Sequence, residues 1–164
     1  MQQNRYLTVI SDFPEYETCL KDYVIKTYKD KKIEFVLRML KRLDYLQKVE
    51  DEVLYDIMFN LESHFIEKDS TILNDKEEEL SLTFVEQGQI DVYTKFEGSD
   101  FIIDKLYKGS AINPKVCFTQ DPLLLNFRCV TDVKLLCLPH KKMTELVEKY
   151  EDKPFGRELL ILQN

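Results

Sequence analysis

The hydrophobic period of this chain changes twice, and that change narrows the fold more than any single motif does. Through residues 1–62 the apolar positions recur three and four apart, from His64 to Leu138 they alternate, and from Pro139 they return to helical spacing. In the first stretch Pro14, with Asp12 as its cap, opens a helix carrying Tyr16, Cys19, Leu20, Tyr23 and Val24 on one face. The polar run Lys29–Lys32 breaks the pattern. A second helix aligns Ile33, Val36, Leu37, Leu40, Leu43 and Leu46. A third starts at the acidic Glu50-Asp51-Glu52, where carboxylates suit the positive end of the helix dipole, and presents Val53, Leu54, Ile57, Met58 and Leu61. Three short amphipathic helices must bury those stripes on something.

The middle stretch reads as strands. Leu82 and Phe84 alternate with Thr83 and Val85 up to a turn at Gln87-Gly88-Gln89; Ile90, Val92 and Thr94 then alternate with Asp91, Tyr93 and Lys95. Glu97-Gly98-Ser99-Asp100 is a turn signal, Phe101-Ile102-Ile103 begins another strand, and Lys108-Gly109-Ser110 breaks it. Leu123–Thr131 and Val133–Leu138 are two more strands, parted near Asp132. A final helix puts Met143, Leu146 and Val147 on one face, and the apolar run Leu159–Leu162 follows. Several short strands at regular spacing predict an antiparallel sandwich or roll.

Composition removes several function classes. With 23 basic and 30 acidic residues the net charge is 23 − 30 = −7, so nucleic acid is not an expected partner. No apolar run is long enough to span a bilayer. Contact of the basic stretch Lys26–Arg42 with anionic lipid is the one membrane reading, set against that of a solvated helical face. Cys19, Cys117, Cys129 and Cys137 form no C-x-x-C pair and read as reduced thiols of an intracellular, reducing compartment. Two scattered histidines, His64 and His140, supply neither a metal cluster of the cupin kind nor a nucleophile–base pair. No enzyme, metal or cofactor is therefore expected.

The stretch Leu82-Thr83-Phe84-Val85-Glu86-Gln87-Gly88-Gln89-Ile90-Asp91-Val92-Tyr93 resembles the signature of the cyclic nucleotide-binding domain family. Lys105–Gly109 resembles the strand and glycine that lead into its pocket, and Thr131–Leu135 its closing strand pair. The resemblance covers residues 62–164. The helical front half, with Asp12-Phe13-Pro14-x-Tyr16 and Arg42-Leu43-Asp44-Tyr45-Leu46, is similar to the linker helices of hyperpolarisation-activated and ether-à-go-go-type potassium channels, most of all to channel-related proteins of ciliates.

The resemblance implies a phosphate cassette written F-G-E-[LI]-A-L, followed about nine residues after its Glu by an Arg. The Glu holds the ribose hydroxyl and the Arg the phosphate, with backbone N–H groups completing the cradle. Counting from Gly109 puts Ile112 at the Phe, Asn113 at the Gly, Pro114 at the Glu and Lys115 at the next aliphatic position. Counting nine onward, or back from Val133-Lys134-Leu135, puts Leu123 at the Arg, with Leu124 after it. The carboxylate and the guanidinium are both replaced, and Pro114 also lacks a backbone donor. Of two cations that could substitute, Arg128 lies five positions past Leu123 and so on the opposite strand face, where an outward strand residue in solvent or an ion pair is the simpler reading, and Lys115 sits beside the cradle but is a point charge without the bidentate fork, so that a solvated side chain is the simpler reading there too.

The sequence therefore predicts an α+β chain. A helical region, 1–62, precedes a jelly-roll-like antiparallel β-roll of about eight strands, 63–138, and one or two lid-like helices follow at 139–164. Gly88 and Gly109 are its structural turns. Ile112, Asn113, Pro114, Lys115, Leu123 and Leu124 mark a degenerate pocket that does not bind cAMP or cGMP. The expected role is a structural or regulatory protein-interaction module in a larger assembly. The alternative is a ligand-sensing domain of a channel-like protein. In the channel family a segment after the domain fills the vacant pocket, and Leu159–Leu162 could do the same here, although packing of a lid helix on the roll is the simpler reading.

Overall fold

A computed structural model of the chain describes Cys19, Tyr23 and residues 31–72, 82–112 and 125–153. The chain divides into two units, Met1–Val36 and Leu37–Asn164. Of the first predicted stripe, Cys19 and Tyr23 are helical and exposed; the rest of it lies outside the described residues. Helix α1 runs Lys31–Leu40. It stops short of the predicted stripe: Leu43 is extended, with φ −79° and ψ 125°, and Asp44–Leu46 is a single 3-10 turn. Leu43 and Leu46 are nonetheless buried, so the spacing marked the apolar face and missed the helix end. Helix α2, Asp51–Phe59, begins after Glu50 as the acidic run predicts.

Among the described residues the roll has eight strands in two antiparallel sheets, as the alternation predicts. They are β1 (Glu62–Ile66), β2 (Thr71–Ile72), β3 (Leu82–Gln87), β4 (Ile90–Phe96), β5 (Ser99–Leu106), β6 (Ala111–Ile112), β7 (Asn126–Cys129) and β8 (Val133–Leu138). One sheet has the order β1-β8-β3-β6 and the other β2-β7-β4-β5. Helix α3, His140–Lys149, leaves β8 through Pro139 and buries Met143, Leu146 and Val147.

Alternation explains the core. Val85, Ile112, Val133 and Leu135 from the first sheet meet Ile90, Val92, Phe127 and Cys129 from the second, with Ile66, Ile72, Leu106 and Leu125 at the margin. Burying each such side chain contributes roughly 1.5–3 kcal/mol. On the opposite face of the first sheet Leu82, Phe84, Leu136 and Leu138 are equally buried, which gives that sheet apolar surface on both sides. A strand buried on both faces reads as a nearly continuous apolar run, as Val133–Leu138 does.

Two turns position the strands. Gly88, at φ 99°, carries β3 into β4 and is packed so closely that a Cβ there would lie 2.5 Å from the Asp132 carbonyl oxygen. The amide of Gln89 donates to Thr131 Oγ1 and that of Val130 to the Gln89 carbonyl, so the β3–β4 and β7–β8 turns interlock. Glu97 and Gly98, at φ 50° and 81°, close the β4–β5 hairpin with two positive-φ residues, the pattern of a type I′ turn. The turn is therefore tighter than the predicted four residues, and β5 begins at Ser99.

Candidate functional site

The strand that leads into the segment corresponding to the cassette lies in one sheet, and the strand described after it lies in the other. The start of that segment is fixed by Gly109. With φ 89°, Gly109 sits in a turn where the Ser110 amide donates to the Tyr107 carbonyl and Ser110 Oγ accepts from the Tyr107 amide. The Gly109 amide donates to the Val85 carbonyl at 2.7 Å, and the Val85 amide donates back to the Ser110 carbonyl at 2.9 Å. These bonds deliver β6 to the edge of the first sheet, with Ile112 opposite Thr83. Ile112 is buried in the core between the sheets. The chain is next described at Leu125, which leads into β7 beside β4 in the second sheet. Asn113, Pro114, Lys115, Leu123 and Leu124 lie outside the described residues.

The strands around this segment segregate apolar and charged groups. The lysine and arginine side chains on the described strands are Lys95, Lys105, Arg128 and Lys134, and each alternates with core residues so as to face away from the space between the sheets. Arg128 Nη1 lies 2.9 Å from Asp100 Oδ2, with its guanidinium 4.9 Å from the centre of the Tyr93 ring. Lys134 pairs with Glu86 at 2.9 Å. Lys105 Nζ stands 3.8 Å from Asp91 Oδ1, a carboxylate almost fully buried on the outer face of the second sheet. The described side chains between the sheets, Val85, Val92, Ile112 and Phe127 among them, are apolar.

Other candidate chemistry is dispersed. His64 is exposed on β1, 3.7 Å from Glu62, and His140 opens α3. No cluster of three or more His, Cys, Asp or Glu that could hold a metal occurs among the described residues. Burial pushes the Cys129 thiol above its ordinary range.

Sequence reading missed one polar cluster, outside the roll. Asp56 is buried on α2 and its Oδ2 accepts from Lys149 Nζ at 2.5 Å and from the Tyr150 hydroxyl at 2.7 Å. Burial, and then the hydrogen bond to Asp56, push the Tyr150 phenol well above its ordinary range. The available signal was position: Asp56 falls three residues after Val53 and beside Ile57, inside the apolar arc of its helix.

The sequence profile of the cyclic nucleotide-binding domain matches residues 63–150. The chain belongs to that family. No curated protein matches the sequence. Solved structures of the family share the fold at low identity. The cAMP-bound regulatory domain of Toxoplasma gondii PKA superimposes with a TM-score of 0.62 at 14% identity, over 76% of this chain and 51% of that one. The N-terminal domain of a Streptomyces coelicolor transcriptional regulator gives 0.60 at 16%, over 76% and 86%. The regulatory subunit of a cAMP-independent protein kinase A from Trypanosoma cruzi, bound to guanosine, gives 0.56 at 14%, over 80% and 49%. This chain thus spans about half the length of the Toxoplasma protein it matches. Among the described residues, no helix is long and apolar enough to cross a membrane.

Proposed function

We propose that the chain is a regulatory or structural module of the cyclic nucleotide-binding family whose site no longer holds cAMP or cGMP, acting through protein contacts within a larger protein or assembly. The observation that carries this reading is the placement of charge. Lys105, Arg128 and Lys134 lie on the outer faces of the sheets, each against a carboxylate, while the described interior is apolar. The sequence supports it independently, with Pro114 and Leu123 where the family's cassette has Glu and Arg. Two charge-assisted hydrogen bonds are worth about 3–6 kcal/mol together, roughly a hundred- to ten-thousandfold in affinity. Calorimetric titration of the purified chain with cAMP and with cGMP tests this. No saturable heat at submillimolar nucleotide is expected, and micromolar affinity for either would overturn the reading.

A second reading keeps a ligand and drops its charge. The guanosine-bound Trypanosoma neighbour is called cAMP-independent, and an uncharged nucleoside needs no phosphate-binding Arg. Guanosine and adenosine in the same calorimetric series separate the two readings: saturable nucleoside heat without nucleotide heat favours a sensor. For the setting, the likeness of residues 1–62 to channel linker helices points to a channel-like protein in a reducing compartment, and the proteins that co-purify with the native chain identify it. No catalytic role is proposed.

A further inference from the structure

The edges of the two sheets are not equally protected. Among the described residues β2 and β6 are two-residue strands, and β1 carries one large exposed apolar side chain, Phe65. The remaining edge, β5, is eight residues long and pairs with β4 alone among the described strands. It exposes Phe101, Ile102 and Ile103 in succession, with Tyr107 just beyond. A long apolar edge is a template for another strand unless charges or a bulge oppose the pairing. β5 has both: Asp100, Asp104 and Lys105, and a bulge opposite Val92 and Tyr93 at which Ile103 is the additional residue. Their arrangement selects a register instead of forbidding one. Residues five apart on a regular strand lie on opposite faces. The bulge returns Asp100 and Lys105 to one face, since they stand opposite Lys95 and Asp91, four apart on β4. A second copy running antiparallel along β5, with Ile102 opposite Ile103, therefore sets Asp100 against Lys105 twice. On that face Arg128 lies 2.9 Å from Asp100, and Lys105 stands 3.8 Å from Asp91, so charges of alternating sign run across the joined strands. Slid by one residue, with Ile102 opposite Ile102, the pairing sets Asp100 against Asp104 twice.

We propose that β5 is a dimerisation edge whose occupant is β5 of a second copy, antiparallel about a two-fold axis between Ile102 and Ile103. The pairing joins the second sheets of the two copies into one. It is isologous and uses up the edge, so it closes at two copies. One strand per copy makes a small interface, below about 1,200 Å² in total, and the dimer is accordingly weak. It is independent of whether the roll holds a nucleotide.

Sedimentation velocity of the full chain between roughly 10 µM and 1 mM tests it. A monomer–dimer equilibrium with its midpoint in that range is expected. Ile103→Asp sets a carboxylate against the other copy's Ile102 and should raise the dissociation constant at least roughly tenfold. Asp100→Lys and Lys105→Glu should each weaken the dimer as well, because both facing pairs become alike in sign. An equimolar mixture of those two variants should recover it, since each pair then joins opposite charges. A chain monomeric at every concentration would overturn the proposal and leave the edge to a strand of another protein. A dimer that survives Ile103→Asp would overturn it by placing the contact elsewhere, and a mixture no more associated than its parts would reject the register and the proposal with it. Should a charge variant fail to fold, Ile103→Asp carries the test together with hydrogen exchange of residues 99–106 in the parent chain. That exchange should slow as the chain is concentrated, and exchange independent of concentration overturns the proposal.

Discussion

The two ends of the β4 strand are built on the same backbone device and answer to different constraints. At one end Gly88 turns at φ 99° with the Asp132 carbonyl, the Val133 side chain and the Thr131 hydroxyl all within 3.0 Å of where a Cβ would stand. At the other, Gly98 turns at φ 81° with nothing within 4 Å. The first turn is held by Thr131 and by the Val130 amide. The second sits at the tip of a ribbon whose Phe96 and Phe101 are about two-thirds exposed, at 68% and 65%. A left-handed glycine thus reports only a backbone requirement; whether the site tolerates a side chain depends on what has been packed against it.

Substitutions can break that contrast. Gly88→Ala should have the largest effect, roughly 3 kcal/mol or more, because positive-φ strain adds to a backbone clash. Chemical denaturation should show this as a lower midpoint at unchanged slope. Thr131→Val should cost about 1–2 kcal/mol by removing the acceptor of the Gln89 amide, and should speed exchange of that amide specifically. Gly98→Ala meets only the backbone term, about 1 kcal/mol. Phe101→Ser, at the exposed tip, should stay within about 0.5 kcal/mol of the parent in the same measurement. Equal losses for Gly88→Ala and Gly98→Ala would show that the packing around Gly88 contributes nothing.

Elements with strict periodicity were legible in the sequence. Ile90–Tyr93 and the α3 stripe of Met143, Leu146 and Val147 stand where the alternation and the helical spacing put them. The elements that escaped are those whose burial does not follow their pattern. β1 is almost wholly exposed at the edge of its sheet, so its residues carry no alternation, and it begins at Glu62, ahead of the visible change of period at His64. α1 ends at Leu40 because Leu43 turns extended, yet Leu43 and Leu46 stay buried and prolong the apparent stripe. Phe101-Ile102-Ile103 reads as a strand and is one, but its exposure depends on what covers the edge of the second sheet, which no local pattern encodes. Of the candidate pocket, Ile112 is placed in the core by its alternation with Ala111. The Asp56 cluster eluded the reading because a lone acid on an apolar face acquires meaning only from partners some ninety residues downstream.

The pairing of β1 with β8 sets Glu62 opposite Cys137, so the roll starts and finishes at one spot on its surface. Such a body can be spliced into a loop of a host protein without stretching the host, and a short bridge across the two ends would permit the chain to be cut and restarted elsewhere, for instance at the exposed Glu97–Gly98 tip. Evolution and the protein engineer would both find it easy to transplant.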